Sequence, residues 1–153
     1  MHVRVETLPA RRVAFMRHVG PYRLVGATWR KLMAWAAPRG LVGPTTMALG
    51  VAHDDPEVTP PDKVRYDACF VVDNSFVPEG EVGAQMIGDG EYAITTHRGP
   101  YDLVAQTAAR LCGEWLPASG RDPRSAPILA HHRNFPPDTA PDGLLTDIYL
   151  PLE

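Results

Sequence analysis

The chain is poor in the features that mark several large functional classes. Its two cysteines, Cys69 and Cys112, stand far apart and form no CxxC pair. Neither a disulfide framework nor a cysteine metal site is therefore expected, and a reducing cytoplasm is the default location. No apolar run approaches a membrane span, and the opening Met1-His2-Val3-Arg4-Val5-Glu6 lacks a secretory signal. Lysine and arginine nowhere cluster, and the net charge is -3 with a pI near 6.0. That balance argues against direct nucleic-acid contact by this chain. There is no GxSxG elbow, and Gly80, Gly83, Gly88 and Gly90 are spread through a connector rather than forming a phosphate loop. His131 and His132 are neighbours, so on a strand they point to opposite faces, and His53-Asp54-Asp55 lacks tight ligand spacing. No metal and no cofactor is expected.

What the chain does have is a repeat. His97-Arg98-Gly99-Pro100-Tyr101 echoes His18-Val19-Gly20-Pro21-Tyr22. In the same ungapped register Ala14 matches Ala93, Leu24-Val25 match Leu103-Val104, Thr28 matches Thr107, and Leu32 matches Leu111. Two copies do not make a solenoid. They predict one domain, 1–153, built from similar halves of about 1–76 and 77–153 around a pseudo-two-fold axis. With 153 residues, 44% of them hydrophobic, such a domain can bury a proper core.

Each half reads as strand, helix, strand, strand. Val3 to Leu8 alternates with period two; after a Pro9-Ala10 turn, Arg12 to Arg17 is a second strand. Gly20-Pro21 introduces a helix from Tyr22 to Ala37 with the stripe Val25, Trp29, Leu32 and Ala36, ended by Pro38 and Gly40. Strands at Thr46–Ala52 and Val64–Val72 flank a loop from His53 to Lys63. Val77 to Gly90 is a connector with a short extended piece near Val82–Met86. Then come a strand at Glu91–His97, a helix at Tyr101–Leu116 with stripe Val104, Ala108, Leu111, Cys112 and Trp115, and a loop at Pro117–Ser125. Strands at Pro127–Arg133 and Leu145–Leu150 flank a proline-rich loop from Asn134 to Gly143. The predicted class is α+β: duplicated units forming an antiparallel sheet, two helices on one face, and a cleft between them, a common kind of ligand site.

Three constellations compete with plain architecture. The His-Gly-Pro-Tyr motif has no adjacent nucleophile and gives no sign of a triad; a histidine there can simply cap its turn. Asp67 and Asp147 fall at equivalent places, where a buried acid either takes a charged partner, holds a raised pKa, or bonds neighbouring backbone. Trp29, Trp35, Met33 and Trp115 on helices, with Tyr66, Tyr92 and Tyr149 on strands, suit either a pocket for flat or cationic molecules or a core.

The segments Arg17–Tyr22, Arg65–Cys69, Tyr92–Tyr101, Glu114–Gly120, Asn134 with Pro136, and Asp147–Pro151 together resemble the GyrI-like small-molecule-binding family. That family includes effector-binding domains of AraC-type and multidrug-sensing transcription regulators. The resemblance runs end to end and implies a cleft binding hydrophobic or aromatic compounds, cationic ones among them. It implies ligand-binding positions at Trp29, Met33, Met47 and Cys69 in the first half, and at Trp115, Ala130, His132, Asp147 and Tyr149 in the second. The family's buried glutamate is replaced by Ala130 and its neighbouring aromatic by His132, so a strongly charge-selective pocket would need its anion from Asp67 or Asp147. The expected function is a non-catalytic effector domain with a small-molecule ligand, used in transcription regulation or compound sequestration, alone, fused to, or docked on a DNA-binding protein. The alternatives are a small hydrolase using Asp147, Tyr149 and His132, and a haem-binding protein of SOUL type.

Overall fold

A computed structural model describes residues 1–136 and 138–153. Pro137, inside the expected proline-rich loop, lies outside the described residues. The fold is α+β, with six strands among the described residues, and paired strands within each unit run antiparallel. Contacts divide the chain into two compact units. The first is Ala10–Gly88, and the second combines Met1–Pro9 with Asp89–Glu153.

In the first unit β3 (Arg65–Val71) pairs on one side with β1 (Arg4–Val19) and on the other with β2 (Ala48–Ala52). In the second, β6 (Leu145–Leu152) lies between β4 (Gly83–Arg98) and β5 (Ile128–His132). β1 therefore starts in the second unit and finishes in the first, and β4 does the reverse.

Two predicted boundaries give way here. No turn occurs at Pro9-Ala10; β1 runs through Pro9 for 16 residues. Proline removes a donor but is at home in extended backbone wherever no neighbour needs that donor. Nor is the stretch before Glu91 mostly connector. β4 starts at Gly83 and passes through Gly88, Asp89 and Gly90, all at positive φ (86°, 67° and 136°). Asp89 is the one non-glycine with positive φ among the described residues, a conformation aspartate tolerates better than most. The chain changes unit at this kink.

The apolar stripes behave as predicted. α1 (Val25–Ala36) turns Leu32 and Ala36 onto Ala14, Met16, Ala68 and Phe70, with Trp29 and Met33 half-buried at the margin. In the second unit α2 (Val104–Arg110) continues through a π-helical turn, Leu111–Trp115, into α3 (Leu116–Ser119). Helix thus replaces the start of the loop expected at Pro117. Leu111 is fully buried against Ala93, Ile148, Leu150 and Leu152, and Val104, Ala108, Cys112 and Trp115 pack around it. Gly40 (φ 67°) and Gly120 (φ 72°) stop the two helical runs in the left-handed region, where a side chain would be strained.

Candidate functional site

The repeated motif builds two turns of the same design. His18 sets Nδ1 3.1 Å from the Thr28 hydroxyl and Nε2 3.0 Å from the Pro21 carbonyl. His97 does the same with Thr107 at 2.7 Å and Pro100 at 3.2 Å. Tyr22 donates its hydroxyl hydrogen to the Asp54 carbonyl at 2.7 Å, and Tyr101 donates to the Asn134 carbonyl at 3.3 Å. The side chains of Asp54 and Asn134 in turn accept the backbone N–H of Arg65 and Leu145, each at 2.8 Å. Every polar atom of the motif histidines is thereby spent on holding a strand end to a helix start. The motif is architecture.

In the first unit Asp67 is fully buried, and it takes charged partners, one of the outcomes weighed for it. Arg17, opposite it in the β1 ladder, grips both carboxylate oxygens at 2.8 and 3.0 Å. His53 Nε2 lies 2.8 Å away and Gln85 Nε2 donates at 2.9 Å. Burial alone would raise the pKa of Asp67, but these donors outweigh it and hold the carboxyl below its ordinary value. Cys69, two residues on, is buried without exposure and its thiol is pushed well up, chiefly by desolvation.

The other face of this sheet is aromatic. Trp29 donates its indole N–H to the Tyr66 hydroxyl at 3.1 Å, and the rings of Tyr22 and Tyr66 meet edge-on with centroids 5.9 Å apart. The phenol end of Tyr66 lies over Gly50, where any β-carbon would collide with it.

In the second unit the same two faces recur with different contents. Ala130 pairs with Ile148 and His132 with Thr146, so both lie on the face that Leu111 and Trp115 cover. His132 sits 3.5 Å from the Thr146 hydroxyl and edge-on to Tyr101, ring centroids 5.1 Å apart. Desolvation, aided by neighbouring His131, lowers its pKa to about 4, so it is neutral at physiological pH. Asp147 and Tyr149 alternate onto the opposite face. Asp147 accepts from Thr96 at 2.6 Å and lies 3.5 Å from Arg133 and 3.9 Å from Arg4. Tyr149 meets Tyr92 edge-on at 6.1 Å.

The expected ligand positions therefore sort by face. Trp29 and Met33 belong to the helix side of the first unit, and Trp115, Ala130 and His132 to the helix side of the second. Cys69, Asp147 and Tyr149 point the other way. Met47, which extends the β2 ladder by accepting from Val71 at 3.0 Å, falls in line with Cys69. The Asp147, Tyr149 and His132 trio of the hydrolase alternative is not assembled, because 147 and 149 are odd-numbered neighbours of the helix-facing 146 and 148. Neither aspartate is an uncommitted anion for a cationic ligand. The sequence does not display Arg17, His53 and Gln85 as partners of Asp67: cross-strand register joins Arg17 to it, and the folding of the chain brings in His53, just past β2, and Gln85, on β4.

A fold of strand-helix-strand-strand units, with aromatic and neutral side chains under the helices and with Asp67 and Asp147 internally paired, is that of a small-molecule-binding domain. The chain belongs to the GyrI-like family: the model of the GyrI-like small molecule binding domain matches residues 1–153. It is 33% identical over 156 residues to the probable transcriptional regulator YgiV of Escherichia coli (strain K12), covering 99% of this chain and 96% of the relative. It is also 33% identical over 159 residues to a DNA gyrase inhibitor of Serratia proteamaculans (strain 568), covering 97% and 96%. Among solved structures, the C-terminal domain of EcmrR shares the fold with a TM-score of 0.76 at 16% identity, over 99% of this chain and 97% of that one. No helix among the described residues is long and apolar enough to cross a membrane.

Proposed function

We propose that this domain holds an uncharged aromatic compound against the helix side of its second unit, without converting it, as the sensing step of a regulatory or sequestering protein. One observation carries the reading. β2 and β5 occupy equivalent places, Gly50 corresponding to Ala130, yet the large Tyr66 that covers Gly50 is replaced by the short Thr146 opposite His132. Ala130, Ile128, His132 and Trp115 all keep partial exposure, so an apolar surface of small-ligand character is left beside a neutral imidazole. Burying a cation there would leave its charge unpaired, which is costly. The regulators among the relatives support a role in transcription control, with the domain fused to or docked on a DNA-binding protein.

Titrations of neutral heterocycles and of matched quaternary aromatic ammonium ions, followed by tryptophan fluorescence, test it. Saturable binding of the neutral series is expected, with Ala130→Glu reversing the preference towards the cations. Tighter binding of the cations by the unmodified chain would sink the proposal.

A further inference from the structure

The second unit also carries a solvent-open depression of about 380 Å³, lined by none of Trp115, Ala130 and His132. Its walls are the N-terminal segment at His2 and Arg4, the end of β4 at Thr95 to Arg98, and the α2 residues Thr107 and Arg110. Among the described residues no carboxylate lines it, although acids outnumber bases by 18 to 15 in the whole chain. Three arginines, Arg4, Arg98 and Arg110, do.

Their commitments differ. Arg98 is exposed and makes no ion pair among the described residues. Arg110 reaches only Glu114, one helical turn on at 3.3 Å, in an exposed pair that an arriving anion can displace. Arg4 is held by Glu6 at 3.1 Å and by buried Asp147 at 3.9 Å, so it adds field more than a free donor. The surrounding hydroxyls fasten the walls: Thr95 to the His2 carbonyl at 2.8 Å, Thr96 to Asp147 at 2.6 Å, and Thr107 with His97 at 2.7 Å. A planar guanidinium recognises the two oxygens of a carboxylate or phosphate through paired N–H donors. The volume falls within the range of small-ligand sites, and the shape is a hollow rather than the long basic stripe that follows a nucleic-acid backbone.

We propose that this hollow binds small organic acids, with Arg98 and Arg110 donating to a carboxylate or a phosphate monoester. It is separate from the helix-side surface of Ala130 and His132 and does not rest on that reading.

Benzoate, phenyl phosphate and, as the uncharged counterpart, benzyl alcohol are titrated at constant ionic strength, by calorimetry and amide correlation spectra. At least one of the two acids is expected to shift the amides of Thr95 to Arg98 and of Thr107 to Arg110 saturably; the arm that responds tells carboxylate from phosphate. Arg98→Gln and Arg110→Gln should each weaken that binding about tenfold or more, the loss of a charge-assisted bond. Arg23→Gln, an exposed change in the first unit, should not. Both test positions are exposed, so unchanged thermal midpoints confirm that the variants fold. Ala130→Glu should leave acid binding intact, which keeps the two proposals apart. Equal response to benzyl alcohol, unsaturable shifts, or wild-type affinity in both arginine variants would overturn the proposal. So would a short DNA duplex engaging these amides while both acids fail.

Discussion

Arg17 meets Asp67 with two N–H donors, at 2.8 and 3.0 Å, across neighbouring strands, and the carboxylate they hold has no exposure to solvent. The arginine itself is 43% exposed. A buried anion is thus neutralised by a cation that keeps part of its own hydration, which lightens the penalty of taking both charges out of water.

Breaking that pair has a pH signature. The folded pKa of Asp67 is lowered, so its contribution to stability is complete above the unfolded value of about 3.9 and is lost as pH falls through the folded value. In Arg17→Gln the carboxylate keeps His53 and Gln85 but loses its two strongest donors. Denaturant unfolding near neutral pH should show a loss of about 1–3 kcal/mol, and the acid limb should begin at higher pH. Superimposable pH–stability curves for the variant and the parent would disprove the assignment.

His132 gives a second limb with a separate window. Its folded pKa of about 4 lies below the ordinary histidine value of about 6.5. Between those pH values the unfolded chain binds a proton that the folded chain refuses, so stability drops as pH falls from about 6.5 to about 4 and is level above it. His132→Phe should remove that drop, roughly 3 kcal/mol. The check is the difference between the two stability profiles; an unchanged slope in the variant would show that His132 titrates normally.

Gly50 and Tyr66 form a size-matched pair, with the phenol resting where a β-carbon would stand and its hydroxyl accepting from Trp29. Gly50→Ala should cost about 1–3 kcal/mol through overpacking. In a Tyr66→Ala background the same change should cost far less, and the double-mutant cycle measures the difference. Additive losses would mean that the ring and the glycine do not constrain each other.

Much of this was legible in one dimension. The two histidine turns announce themselves as a repeat because the same bonds must be remade in each copy, from imidazole to threonine ten residues on and to the proline carbonyl three residues on. The stripes around Leu32 and Leu111 follow from helical periodicity. Proline at position 9 and the Gly88-Asp89-Gly90 kink misled because both are frequent in turns, although neither forbids an extended chain. Trp115 and Tyr149, both expected to face a ligand, lie on opposite faces for another reason. Both are aromatic and both lie in the second half, yet consecutive strand residues face opposite ways, and the helix covers 148 and 150, not 147 and 149.

Residue order by itself determined the α+β class, the duplication, the turn chemistry and the family, since each is set by local spacing or by motifs read within a few residues. Tertiary structure alone decided which partners silence Asp67 and Asp147, and which aromatic side chains share a face. It also gathered Arg4, Arg98 and Arg110 around one hollow. Those relations join positions as distant in the chain as Arg4 and Asp147, and strand register and helix docking, which bring them together, leave no local trace in the chain.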